Sequence, residues 1–377
     1  MNVAFFHDSK FIVKDSKYYT SGTLNNELFK FYLNFFENIT VVTRKIEYNS
    51  SKSKYINANN LVKNEHIKFN CVYNFSNCFE IIKNEVINND FIIIRCHSFI
   101  GTIAAYYSRK YKKKYLVESV SCAWDCLWNH SFKGKLTAPI MFLLTKKVIR
   151  NAYAVTYVSE KFLQKRYPNS NYLLSCSDVY IEDNNLKNER KYYSKNKKIK
   201  IANIANLDMK YKGQKYLIYA VHKLITNGYN IELNLIGGGS GRKLKRLVDK
   251  LNIQSYINFL GVVEHKKIFE LLKKTDIYVQ PSNAESHGRV IVEAMSVACP
   301  VIGSNVGGIP ELVHPKFVFK KSCINDLTNK IQYLIDNPTE LEKLSKYSYD
   351  KSKEYRKQIL YNKKYDFYKK IMEVIND

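Results

Sequence analysis

Short apolar runs alternate with amphipathic stretches along the first half of the chain. Val3-Ala4-Phe5-Phe6 predicts a strand almost at residue one. After Ser21-Gly22-Thr23, the spacing of Leu28, Phe31, Tyr32 and Phe35 predicts a helix. Asn38–Thr43, Asp90–Arg95, Tyr115–Val117 and Ala152–Val158 read as further strands, with a helix over Ile100–Tyr107. Strands that alternate with helices need crossover connections, so a parallel sheet is expected.

The pattern stops between Asp183 and Lys198, where charged and polar residues carry no apolar period. This stretch is expected to be a linker. A second series starts at Ile199. Strands are expected over Ile199–Ala205, Ile231–Ile236, Ile257–Leu260, Asp276–Gln280 and Pro300–Ser304. Helices are expected over Lys212–Asn227, with Gly228 as C-cap, then up to about Leu251, over His265–Lys274 and over Ser286–Ala298. From Asn325 onward helices dominate. The fold class is α/β, with two Rossmann-like units in tandem. The expected limits are an N-terminal domain 1–182, a linker 183–198, a C-terminal domain 199–350, and terminal helices 351–377 that cross back to the first domain. Ligands of such sheets sit at the carboxyl ends of the strands. Two facing units would form a cleft for a nucleotide-bearing ligand.

Composition narrows the possibilities. The 377 residues suit two domains, and 45% hydrophobic content excludes wholesale disorder. Lys and Arg number 60 against 34 Asp and Glu, a net charge of +26. Such a surface attracts polyanions, although abundant Lys, Asn, Ile and Tyr also fit an AT-rich coding bias. The eight cysteines show no C-x-x-C pair, so neither zinc nor a disulfide framework is expected. No secretion signal and no membrane-spanning run are read, which points to the cytoplasm.

The stretch Asp276–Glu311, DIYVQPSNAESHGRVIVEAMSVACPVIGSNVGGIPE, carries the chemistry. Glu285 ends a loop after a strand, and Glu293 follows eight residues later. Ser286 is placed to cap the next helix, with His287-Gly288-Arg289 in its first turn. Amide groups there have no partner within the helix and suit phosphate. Gly288 lets a diphosphate approach the backbone. A carboxylate at Glu293 suits the paired hydroxyls of a ribose. Val290, Ile291, Ala294 and Met295 supply a buried helix face, which accounts for the apolar positions but not for the two carboxylates.

The segment resembles the E-x7-E signature of family 4 retaining glycosyltransferases. Lys212-Gly213, Gly237-Gly238, Phe259-Leu260-Gly261, Pro281-Ser282 and Pro300–Gly303 with Gly307–Glu311 agree in order and spacing. The match is strong over Ile199–Val313, and its wording is similar to enzymes of bacterial capsule and surface-polysaccharide assembly. The first domain is matched mainly by layout. The resemblance implies a GT-B fold, two Rossmann-like domains facing across a cleft. It implies transfer of a sugar from a nucleotide-diphosphate donor to a saccharide or lipid-linked saccharide, with retention, by front-face displacement and without a metal or other cofactor. Carried over, Glu293 resembles the ribose-binding glutamate, Glu285 the donor-sugar contact, Lys212 the diphosphate lysine, and Gly22 the glycine of the N-terminal loop. Gly237, Val262, His287, Gly288, Arg289 and Val290 complete the implied donor set. His97, in the loop after DFIIIR, is the candidate catalytic residue of the first domain beside Glu285 and Lys212.

Two positions depart from the family pattern. Asn206 stands where an arginine is usual, six residues before the lysine, so that contact is expected either to be missing or to come from elsewhere, such as Lys210 or Arg289. LVESVSCAWD offers Glu118, Ser119 and Asp125, but no His, near the reacting carbon. Two other readings compete. A dinucleotide-dependent oxidoreductase would need Gly at 242, where Arg stands after Gly237–Gly241. A nucleic-acid-binding protein is suggested by +26 and by Arg109–Tyr115, but no nucleic-acid-binding motif accompanies them. The charge is instead assigned to an anionic membrane surface, with the protein peripheral at the inner face of the cytoplasmic membrane and Pro139–Val148 able to help. A core helix is the preferred reading of Pro139–Val148.

Overall fold

The computed structural model describes residues 1–20, 22, 24–49, 51, 56, 60–72, 75–182 and 198–376. All of the expected linker except Lys198 lies outside the described residues. The chain forms two compact units. One comprises Met1–Val158, Leu163–Cys176 and Lys363–Asp377; the other comprises Ser159–Phe162 and Ser177–Asn362.

The first unit is built on β1 (Asn2–Lys14), β2 (Lys17–Tyr19), β3 (Asn38–Glu47), β4 (Leu61–Val62), β5 (Ile67–Cys71), β6 (Phe91–Cys96), β7 (Tyr115–Ser119), β8 (Ala154–Tyr157) and β9 (Tyr172–Ser175). Its parallel part runs β5-β3-β1-β6-β7-β8-β9. β1 is far longer than its apolar start predicts. A register shift between Phe6 and Lys10 carries it on to pair antiparallel with β2. The helices are α1 (Asn26–Tyr32), α2 (Phe75–Asn88), α3 (Phe99–Lys110), α4 (Ala123–Trp128), α5 (Phe132–Arg150) and α6 (Phe162–Arg166). β6 is buried along its whole length, as its continuous apolar run implies.

The second unit holds a six-stranded parallel sheet of β10 (Ile199–Ile204), β11 (Ile231–Ile236), β12 (Ile257–Gly261), β13 (Ile277–Gln280), β14 (Val301–Ser304) and β15 (Val318–Phe319). Its order is β12-β11-β10-β13-β14-β15. The first strand is central and the direction of travel reverses between β10 and β13. That reversal is a topological switch point, where loops at the strand ends diverge and leave room for a ligand. Its helices are α7 (Gln214–Thr226), α8 (Arg242–Lys250), α9 (His265–Lys273), α10 (Arg289–Ser296), α11 (Ile309–Leu312), α12 (Ile324–Asp336) and α13 (Pro338–Ser352), while α14 (Lys357–Asn376) begins in this unit and ends in the first. Gly228 follows α7 at φ 87°, the left-handed C-terminal position its sequence predicts.

Val179 and Ile181 pack into the core of the second unit, so its chain starts before the expected linker. Tyr368, Ile371 and Met372, near the end of α14, join Phe5, Phe31 and Tyr32 in the core of the first unit.

Candidate functional site

The loops that follow β10 and β13 meet at the switch point of the second unit. After β10, a 3-10 turn over Lys210–Lys212 ends at Gly213, in the left-handed region at φ 75°. Lys212 therefore precedes α7 rather than starting it. A Cβ on Gly213 would lie 1.8 Å from the carbonyl oxygen of Pro281. Only glycine lets the two loops touch here. The contact places Lys212 Nζ 2.7 Å from Glu285 Oε2, with both side chains about one-fifth exposed. The cation and the carboxylate singled out from sequence are thus direct partners.

The backbone of Glu285 is held from behind. A Cβ on Gly307 would lie 1.5 Å from the Glu285 carbonyl oxygen, and the Gly308 N–H donates to that oxygen at 3.2 Å. This gives the glycines after β14 their physical role. Glu311 of the same motif serves a different end, accepting from the N–H groups of Glu160, Lys161 and Phe162 at 2.5–3.1 Å.

The helix expected from Ser286 begins only at Arg289. Gly288 adopts φ 101° and ψ 64°, which no helical turn accommodates, so His287 and Gly288 lie in the loop ahead of α10. The N-cap residue is Gly288, which has no side chain to cap α10. The first-turn amides and the positive end of the helix dipole follow closely on Glu285 in the chain. The His287 ring is buried and its Nε2 lies 2.7 Å from Ser177 Oγ. Its hydrogen bond goes to Ser177, in the segment that enters this unit. Burial lowers its pKa, so the ring is neutral near pH 7. Arg289 is exposed and Val290 half-buried.

Glu293 is 6% exposed, and its Oε1 lies 3.0 Å from Nε2 of His265 at the start of α9. The hydrogen bond to Glu293 raises the His265 pKa. His265 was not predicted as a site residue. Its pairing with Glu293 spans 28 residues and leaves no local pattern.

The remaining candidates line the ends of β10, β11 and β12. A Cβ on Gly237 would come within 2.1 Å of the Ala205 carbonyl oxygen, and a Cβ on Gly238 would touch Val262 at 3.4 Å. Asn206 and Val262 are exposed. The end of the glycine cluster ahead of α8 is already engaged. The Asp208 carboxylate accepts from Ser240 N, Ser240 Oγ and Gly241 N at 2.8–3.1 Å. A side chain already occupies the place a dinucleotide phosphate would take, which tells against the oxidoreductase reading.

In the first unit, His97 follows β6 and its Nδ1 lies 3.0 Å from Ser121 Oγ. Burial lowers its pKa. Gly22 is exposed, and nothing lies within 4 Å of a Cβ placed on it. The strand-end carboxylate Glu118 is buried and does not face solvent. Arg95 Nη1 lies 2.6 Å away, Lys364 Nζ 2.8 Å, Tyr32 OH 2.6 Å and Tyr368 OH 3.2 Å. Burial by itself would raise its pKa, but Lys364 and Arg95 outweigh that and hold it well below the usual carboxylate range.

Comparison with known proteins agrees with this architecture. The sequence profile of the family described as "Glycosyl transferases group 1" matches residues 184–351. Protein CapJ of Staphylococcus aureus is 30% identical over 398 aligned positions, covering 100% of this chain and 97% of CapJ. Among solved structures, HepE of Anabaena in complex with UDP superposes with a TM-score of 0.70 at 16% identity, over 98% of this chain and 100% of HepE. Sucrose-phosphate synthase from Thermosynechococcus elongatus gives 0.69 at 15% identity, over 99% of each chain. The fold is GT-B, and the protein is a glycosyltransferase. The chain belongs to the group 1 glycosyltransferases, the family whose signature runs through its second unit.

Proposed function

We propose that this glycosyltransferase moves a sugar from a nucleotide-diphosphate donor to a saccharide or lipid-linked saccharide, with retention at the anomeric carbon, in bacterial surface-polysaccharide synthesis. The observation that carries the donor assignment is the meeting of Lys212 with Glu285, in the loop that leads into the N-terminus of α10, where Gly288 stands at the N-cap. The helix end and Lys212 are suited to the two phosphates. Glu285 is suited to a sugar hydroxyl, and Glu293 to the ribose. A charge fixed beside the leaving diphosphate counts most in the transition state, where negative charge on it grows. Lys212 is paired with Glu285. A bound diphosphate competes for the ammonium and frees the carboxylate for the sugar.

His97 is proposed to act near the reacting carbon and Gly22 to admit the phosphates. Retention, front-face displacement and independence of metal rest on the family resemblance, as does a cytoplasmic site of action at the inner membrane face. The name CapJ and the UDP complex of HepE support the surface-polysaccharide role and the donor class.

Calorimetry against UDP, GDP and their sugar conjugates tests the donor reading. At least one nucleoside diphosphate should bind wild type and bind Glu293→Ala more weakly; no heat from any of them defeats the assignment. Turnover of the identified donor should be unchanged by EDTA. NMR of the product should show the donor's anomeric configuration.

A further inference from the structure

Helix α5 is buried on one side only. Gly134, Ala138, Thr145, Val148 and Ile149 face the interior of the first unit. On the opposite face, Phe132 is 77% exposed, Leu136 66%, Ile140 60% and Leu143 64%. Their spacing of four, four and three residues sets them in one row, about 17 Å long at the helical rise. Trp128, at the end of α4, is also exposed, stacks on Trp124 at 5.1 Å and has Lys135 Nζ 5.8 Å from its ring. The sequence reading of Pro139–Val148 as a core helix is therefore correct for its inner face only.

The charges on α5 itself are all of one sign, while α4 carries the half-buried Asp125. Lys133, Lys135, Lys146, Lys147 and Arg150 are exposed, and α5 contains no Asp or Glu. At about 100° per residue, Lys133 falls on one side of the apolar row and Lys135 and Lys146 on the other, with Lys147 and Arg150 beyond its end. Exposed Lys110 and Lys112, at the end of α3, lie on the same sheet edge as the end of α5, because both helices return against parallel strands.

A contiguous apolar row in water marks a docking surface, and its basic frame selects the partner. A second copy of a chain carrying +26 would bring like charges together. A nucleic acid would satisfy the lysines but not four large apolar side chains. An anionic bilayer satisfies both, with acyl chains under the row and headgroup phosphates under the lysines. Among the described residues no helix is long and apolar enough to cross a membrane, so α5 would lie in the interface plane. We propose that the outer face of α4–α5 is the surface by which this protein docks onto an anionic lipid membrane. The membrane placement given above thereby acquires a surface, and the donor chemistry stands or falls separately.

Co-sedimentation of the full chain with phosphatidylglycerol/phosphatidylcholine vesicles, against phosphatidylcholine alone, tests the proposal. Wild type should partition onto the anionic vesicles, little onto neutral ones, and less at high salt. Leu136→Ser/Leu143→Ser should lose most binding. Each of Lys133→Gln, Lys135→Gln and Lys146→Gln should weaken it about five-fold, the equivalent of about 1 kcal/mol per basic residue near the surface. Ile359→Ser, an exposed apolar position of the second unit, should bind like wild type. Unchanged melting and nucleotide calorimetry in the α5 variants would show that the fold and donor site are intact. Wild-type vesicle binding by the double serine variant overturns the proposal. So does a dimer in gel filtration that this variant abolishes, or tighter binding to an oligonucleotide than to vesicles that the same variant abolishes.

Discussion

On the proposed donor reading, single side chains bear the chemistry, and replacing Lys212 by Ala removes the cation assigned to the leaving diphosphate. The expected loss is about 2–4 kcal/mol of barrier stabilisation, measured as a fall in kcat with the fold intact. Glu293→Ala should act chiefly on donor KM. Protonation offers a separate test. Burial first, then Arg95, pushes the His7 pKa down to about 4 from an ordinary 6.5. Between those values the unfolded chain binds the extra proton, so stability rises with pH across this window and falls as pH drops through it. His97 and His287 shift in the same direction. Urea unfolding of His7→Asn at several pH values should show a shallower dependence between about 4 and 6.5. A slope equal to wild type would place the titration elsewhere.

Elements matter here through close approach. Gly307 sits at φ 57° and leaves no room for a Cβ against the Glu285 carbonyl. Gly307→Ala should destabilise by well over 1 kcal/mol and displace Glu285, lowering the melting temperature and donor affinity together. Gly22→Ala is the contrasting case, because its Cβ would meet nothing within 4 Å. A normal melt with impaired turnover would show that ligand, not fold, requires that glycine. α14 depends on Glu118. Glu118→Gln leaves Arg95 and Lys364 facing a neutral partner, and a loss of about 3–5 kcal/mol is expected for a broken buried pair. The denaturant midpoint reads this directly. These long-range dependences were not legible beforehand. Glu118 reads as one polar residue in LVES, and its partners come from positions 32, 95, 364 and 368.

On the two proposals together, the whole molecule divides its tasks between a unit that binds the donor and a unit whose basic, apolar outer face meets the membrane. Ligand at one hundred times its Kd should stabilise the native state by about 2.7 kcal/mol, a rise in melting temperature that Lys212→Ala diminishes. Two parallel sheets were legible because most of their strands are short apolar runs bounded by turns; the second unit's first five strands fall within a residue or two of expectation, whereas β5, β9 and β15 were not expected. Nor were the short pairs β2 and β4, since two or three residues carry no period. The start of α10 was misplaced because Ser286 looks like a cap, whereas the left-handed Gly288 delays the helix.

The sequence alone determined the strand-helix alternation and the family signature, and it singled out Lys212, Glu285 and Glu293 as candidates. Local pattern and residue chemistry suffice for those. Tertiary structure decided that Lys212 pairs with Glu285, that His265 meets Glu293, that Asp208 fills the glycine loop and that α5 leaves four apolar residues in water. Each depends on which segments the sheets bring together, and chain order does not encode such distances locally.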